Sequence, residues 1–191
     1  VGSVLALQKL FSKYFLASGV SFEEFRFDED DPAYYDLLNV KCFSNENVVF
    51  YASGGEATRT EKVEYISDWP ITYSNLNVCV KRGYEGKKIN CGNRCPKCKR
   101  TMLNLYSVGK LEYYRAVFDV DDFNKKLSMR LGYMLSMTNK DWFYQEIYHK
   151  LKSEQERIPY GAYFYMVIYR IVDRVRRMLR PLLSEKTKRR L

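Results

Sequence analysis

Four of the five cysteines in this 191-residue chain, Cys79, Cys91, Cys95 and Cys98, lie within one short stretch. Cys91-x3-Cys95-x2-Cys98 places three thiols at the spacing of a tight knuckle, and Cys79, expected on a short preceding strand, can close a tetrahedron. Thiolates are soft donors, and a d¹⁰ ion such as zinc accepts four of them without electronic penalty. Gly92 permits the turn, and Lys97, Lys99 and Arg100 offset the negative charge of a four-thiolate site. With no position left open, such a metal holds the fold and does no chemistry. An iron–sulfur cluster uses the same donors, and an even set of cysteines can also pair as disulfides. Disulfide scaffolds, however, are usually small secreted domains, and no signal peptide is apparent. Cys42, isolated in "VKCFSNE", is expected to be a small buried residue.

A second stretch with chemical potential is "VVFYASGGEATRTEKVEYI", Val48 to Ile66. It reads as a strand breaking into Ser53-Gly54-Gly55 and restarting as a helix. Backbone N–H groups at such a helix start attract anions, as in phosphate-cradling loops. A Ser-Gly-Gly is equally an ordinary turn, because glycine adopts positive φ without steric cost.

The elements that must position these residues follow from periodicity. Apolar spacing predicts a helix over 3–14, a short strand at "YFLASG", loop with a helical turn over 21–38, a strand at "NVVFYA" and a helix over 58–69 stopped by Pro70. Strands alternating with helices are the order of a parallel α/β sheet. Beyond the knuckle and a helix ending at Gly109, the pattern is helical. Helices are expected from about Asp119 to Met137, from Asp141 to about Gln155 and from Tyr160 to Pro181, followed by a basic tail. The domains expected are thus 1–75, part of an α/β domain; 76–118, the knuckle and its helix; 119–181, a helical extension; and 182–191, the tail.

Composition narrows the function. The content is 46% hydrophobic, enough for a core, and the single histidine, His149, excludes chemistry built on a histidine cluster. The net charge of +9 is concentrated at the end of the sequence, where Arg170 to Leu191 carry nine Lys or Arg against Asp173 and Glu185. The rest is nearly balanced, which disfavours nucleic acid as a partner despite "KRGYEGKK" and "KCKR" beside the knuckle. No apolar run reaches the ~20 residues of a membrane span, so a cytoplasmic location is expected. The last helix has an apolar stripe opposite Arg170, Arg174 and Arg177. Packing of that stripe on the protein's own domain is the simpler expectation; a peripheral contact of residues 160–191 with an anionic membrane is the other. A homo-oligomer is compatible with either. The first residues enter a periodic pattern at once with no initiating Met, as in a fragment.

Taken together, "CGNRCPKC", "NVCVK" and "SGGEATRTEKVEYI" resemble the C-terminal half of the cyano-deazaguanine synthase (QueC-like) family of N-type ATP pyrophosphatases. The resemblance covers roughly residues 1–120. It implies a partial Rossmann-like parallel sheet of the adenine-nucleotide α-hydrolase (HUP) type, with a four-cysteine zinc site in which Cys79 is the first ligand. One residue is inserted, since Asn93 and Arg94 stand where the family has one. The implied activity is that of a ligase activating a small-molecule carboxylate with ATP and magnesium. The family's nucleotide loop, Ser-Gly-Gly-x-Asp-Ser, lies far upstream of its cysteines, whereas Ser53-Gly54-Gly55 is close to them and has Ala57 and Thr58 in place of Asp and Ser. The resemblance therefore aligns this tract with a later helix start and implies that the nucleotide loop is missing. Ser53, Glu56, Arg59 and Lys62 are candidates for the substrate side, because α/β folds bind ligands beyond the carboxyl ends of strands. The plainer account makes Ser53 or Thr58 a helix cap, gives Glu56 to the helix dipole and leaves Arg59 and Lys62 on a solvated face.

Overall fold

The computed structural model describes residues 1–29, 31–80, 88–91, 94–154 and 157–179. By packing, the chain divides into two compact units, Val1–Lys62 and Val63–Leu191. The division falls ahead of the motif boundary at 75/76, since Val63, Tyr73 and Leu76 belong to the core of the second unit.

In the first unit, strands β1 (Lys13–Ala17) and β2 (Val49–Ser53) pair in parallel, from Lys13 opposite Val49 to Ala17 opposite Ser53. Period-two alternation sends Tyr14, Leu16, Phe50 and Ala52 to one face, where they pack with Val4, Val40 and Val48. The other face leaves Phe15, Val49 and Tyr51 exposed, with the Phe15 and Tyr51 rings stacked 5.2 Å apart. Helix α1 spans only Gly2–Ala6, shorter than the helix expected over 3–14. Tyr14 belongs to the alternation of β1, whose pairing with β2 outweighs the weak helical spacing. The crossover between the strands contains helix α2 (Asp36–Phe43), of which the sequence suggested only a turn. Asp31 starts it by accepting from Ala33 N ahead of a short 3-10 turn, Pro32–Tyr35. Cys42 is exposed on α2, not buried.

Helix α3 (Arg59–Ile66) crosses the boundary. The second unit continues with α4 (Thr72–Asn75), α5 (Pro96–Ser107), α6 (Val120–Lys125), α7 (Leu127–Met137), α8 (Trp142–Ser153) and α9 (Tyr160–Leu179). Its core joins three knuckle cysteines to Met102, Leu105, Tyr114, Val117, Phe118, Met134 and Ile147. Where one helix was expected from 119 to 137 there are two, because Lys126 leaves helical geometry at φ −113° and ψ 20°. Among the described residues no strand forms around Cys79, where the sequence led one to be expected, residues 76–80 being irregular.

The crossing of α7 and α9 depends on a glycine. A Cβ on Gly132 would lie 2.5 Å from Tyr165 Cβ and 2.7 Å from the Ala162 carbonyl oxygen. The side of α9 turned to α7 therefore carries Ala162 and Tyr165. Its apolar stripe, including Phe164, Val167, Ile171, Val175 and Met178, is exposed, contrary to the expectation that the stripe packs on the protein's own domain. Gly92, Asn93, the "KRGYEG" turn and the basic tail lie outside the described residues. Among the described residues no helix is long and apolar enough to cross a membrane.

Candidate metal centre

The knuckle is built on the start of α5. Cys95 is its N-cap, with Pro96 in the first turn where a missing N–H costs nothing, and the Cys98 N–H points at Cys95 Sγ at 3.4 Å. One helical turn thus fixes two thiols side by side. Cys91 Sγ comes within 3.6 Å of Cys98 Sγ, and the sulfurs of Cys79, Cys91, Cys95 and Cys98 all lie within 4.8 Å of one another. A tetrahedral ion with metal–sulfur bonds of about 2.3 Å needs sulfurs about 3.8 Å apart. The four thiols therefore fit a single metal ion, and zinc is compatible with them.

Burial shapes their proton affinities. Cys91, Cys95 and Cys98 are at most 4% exposed. Desolvation pushes the Cys98 thiol strongly up and raises Cys91, which also meets the other thiols. Cys95 is desolvated too, but N–H donation from Cys98 and Val80 outweighs that and brings it down to about 6. Of these three thiols Cys95 is the readiest to ionise, and an incoming metal must displace protons from Cys91 and Cys98.

Asn90, a residue that spacing rules missed, organises the segment that carries Cys79. It is 1% exposed. Its Oδ1 accepts from Val78 N at 2.9 Å, and its Nδ2 donates to the Leu76 carbonyl at 2.8 Å and the Val117 carbonyl at 3.3 Å. The Cys79 segment is thereby clamped to the residue preceding Cys91. Only its place directly before a knuckle cysteine could have drawn attention to it. Lys99 and Arg100 are engaged elsewhere: Lys99 lies over the Tyr133 ring, and Arg100 over Phe143 and 4.0 Å from Asp141.

The candidates around Ser53 sit in the first unit. Ser53 ends β2, and its carbonyl accepts from Ser18 N at 2.9 Å. Gly54 has φ +78°, and a Cβ on Gly55 would fall 1.8 Å from the Phe22 ring, so both glycines have local structural reasons. Glu56 is exposed. Thr58 and Glu61 form a capping box: Thr58 Oγ1 accepts from Glu61 N at 3.2 Å, and Glu61 Oε2 accepts from Thr58 N at 2.7 Å. Arg59 donates to the Gly19 carbonyl at 3.0 Å, and Lys62 to the Ser18 carbonyl at 3.2 Å. Ser53, Arg59 and Lys62 thus gather at the carboxyl end of the two strands.

Comparison with protein-family models, curated proteins and solved structures gives no match for this chain. What is established is a helix-dominated protein with a two-stranded parallel sheet and a four-cysteine cluster able to hold a metal ion.

Proposed function

We propose that Cys79, Cys91, Cys95 and Cys98 hold a structural zinc ion, and that the chain is the zinc-bearing C-terminal portion of a QueC-like ATP-dependent ligase. The convergence of four sulfurs within 4.8 Å carries the zinc reading. Elemental analysis should find one zinc per chain, and cobalt exchange should give thiolate-to-metal charge-transfer bands. Iron with acid-labile sulfide, or no metal at all, would overturn it.

The ligase reading rests on the resemblance, and the open sheet favours it. Parallel sheets are ordinarily covered on both faces, yet Phe15, Val49 and Tyr51 are exposed on one face of β1 and β2. Further strands and a second helical layer would complete such a sheet. ATP and magnesium would bind to a nucleotide loop outside this sequence, and Ser53, Glu56, Arg59 and Lys62 would line the carboxylate substrate. This chain alone should neither bind ATP tightly nor release pyrophosphate; robust pyrophosphate release would overturn the reading.

The exposed stripe of α9 favours a second reading, a non-catalytic zinc module resting on an anionic membrane. Arg170, Arg174 and Arg177 flank the stripe, and the one acid on the helix, Asp173, is engaged by Lys140 and Arg177. Sedimentation with phosphatidylserine-containing vesicles but not with pure phosphatidylcholine is expected. Binding to duplex DNA or RNA in place of vesicles would count against it.

A further inference from the structure

The second unit contains a pocket of about 230 Å³ formed between α5, α6, α7 and α9. It includes none of the metal ligands and none of the residues around Ser53. Its walls are aromatic: Phe123, Tyr133 and Tyr169 line it, with the two tyrosine rings edge to face at 5.4 Å. Two cations, Lys99 and Arg130, line it as well.

Arg130 is an unusual wall residue, being only 6% exposed. Its guanidinium has five N–H donors, yet all its hydrogen bonds leave from Nη2, to the Asp122 carboxylate at 2.5 Å and the Asp122 carbonyl at 3.3 Å. Nε is buried with no partner among the described residues. Buried polar groups are nearly always satisfied, so a buried guanidinium with spare donors asks for a further acceptor. Asp122 cannot neutralise the surroundings alone, because its carboxylate is shared with Lys126. Lys99 has no carboxylate partner among the described residues, and its ammonium lies 5.4 Å from the Tyr133 ring centroid. The lining therefore holds two cations and no carboxylate on an aromatic frame, with Asp122 and Asp119 acting on Arg130 from outside the lining.

We propose that this pocket binds a small carboxylate with a flat ring, its carboxylate received by Arg130 and Lys99 and its ring held among Tyr133, Tyr169 and Phe123. The volume is below the ~300–1,000 Å³ of sites for drug-sized ligands, which selects a single-ring body. Planar carboxylates suit a guanidinium because its donors match two oxygens at once. The site is independent of the ligase reading and survives its failure.

Benzoate is the probe. Titrated into the zinc-loaded full chain at millimolar concentration, it should raise Tm and shift the ring resonances of Tyr133 and Tyr169. The neutral isostere benzamide should bind at least about tenfold more weakly, since it lacks the charge that the two cations recognise. Lys99→Met keeps the aliphatic stem, and Arg130→Lys keeps a buried cation should Arg130→Gln fail to fold. Lys99→Met should weaken benzoate several-fold while zinc content and circular dichroism stay unchanged. No benzoate binding to the folded wild type, equal binding of benzamide, or equal competition by inorganic phosphate would each overturn the assignment.

Discussion

The two compact units reach order by different means. In Val1–Lys62 the main apolar cluster has four buried members, Val4, Val40, Val48 and Phe50, and the sheet they support has one open face. In Val63–Leu191 twenty buried residues among those described form one cluster, and three of them are cysteines of the candidate metal centre. The first unit depends on ladder hydrogen bonds, caps and a glycine turn. The second is closed around a core in which the metal site is part of the packing. A perturbation of the metal should therefore be read in the second unit first.

Removing the zinc ion proposed above should give the largest effect. Binding energy at a structural zinc site is folding energy, so Cys98→Ala or exhaustive chelation should cost more than about 4 kcal/mol at the knuckle. Hydrogen exchange should accelerate in residues 96–107 while β1 and β2 keep their protection. Equal loss in both units would break the comparison. The same experiment has a pH arm. Burial raises Cys91 and Cys98, so both hold protons at neutral pH and a metal must displace them, and affinity rises as pH rises. Cys95, at about 6, adds a further loss only once pH falls through that value. Competition with a zinc chelator across pH should show this slope, and a flat profile would contradict it.

Next comes the Asn90 clamp. Asn90→Ala leaves the half-buried Val78 N–H and Leu76 carbonyl without their partner, at about 1 kcal/mol for each lost hydrogen bond. Zinc affinity should fall together with stability, since Asn90 holds the Cys79 segment. Loss of stability with zinc affinity unchanged would separate the clamp from the metal site.

A paired deletion sharpens the contrast in packing. Val48 and Val117 are each 0% exposed, one in each unit. Valine to alanine removes the same atoms, but the cost rises with the cavity that survives relaxation. Val117→Ala, in the larger cluster, should cost about 2–3 kcal/mol and Val48→Ala about 1–2. Denaturant unfolding followed by exchange at each site would reverse the comparison if the order were inverted.

The sequence exposed the local rules and concealed the long-range ones. The cysteine spacing, the Asp141 cap of α8 and the stop of α5 near Gly109, at φ +68°, all depend on neighbours along the chain and were legible. Asn90 and the Arg130 pocket depend on segments meeting across many residues, which no spacing reports. The stripe of α9 shows the same limit. Period 3.6 located an apolar face, but Gly132 and Ala162 decided that a different face packs. Tyr14 fits both the helical spacing of residues 3–14 and the strand at "YFLASG", and only the pairing of β1 with β2 decides for the strand.

The smallest expected effect tests the tract around Ser53. Thr58 and Glu61 satisfy two donors at the start of α3, and losing such a cap costs about 1 kcal/mol. Thr58→Ala should therefore destabilise the start of α3 by about that amount, with exchange faster at Arg59–Glu61 and unchanged at α5. Thr58→Ser and Glu61→Gln preserve the box and should be nearly neutral. Should Thr58→Ser be as damaging as alanine, the hydroxyl would not be acting as a cap. Should alanine cost only the cap energy, Thr58 is structural, and any substrate role falls to Ser53, Glu56, Arg59 and Lys62. Arg59 and Lys62 already hold the carbonyls after β1. Under the proposed ligase reading, their replacement by methionine would then have to lower ligase activity by more than the loss of those two hydrogen bonds explains.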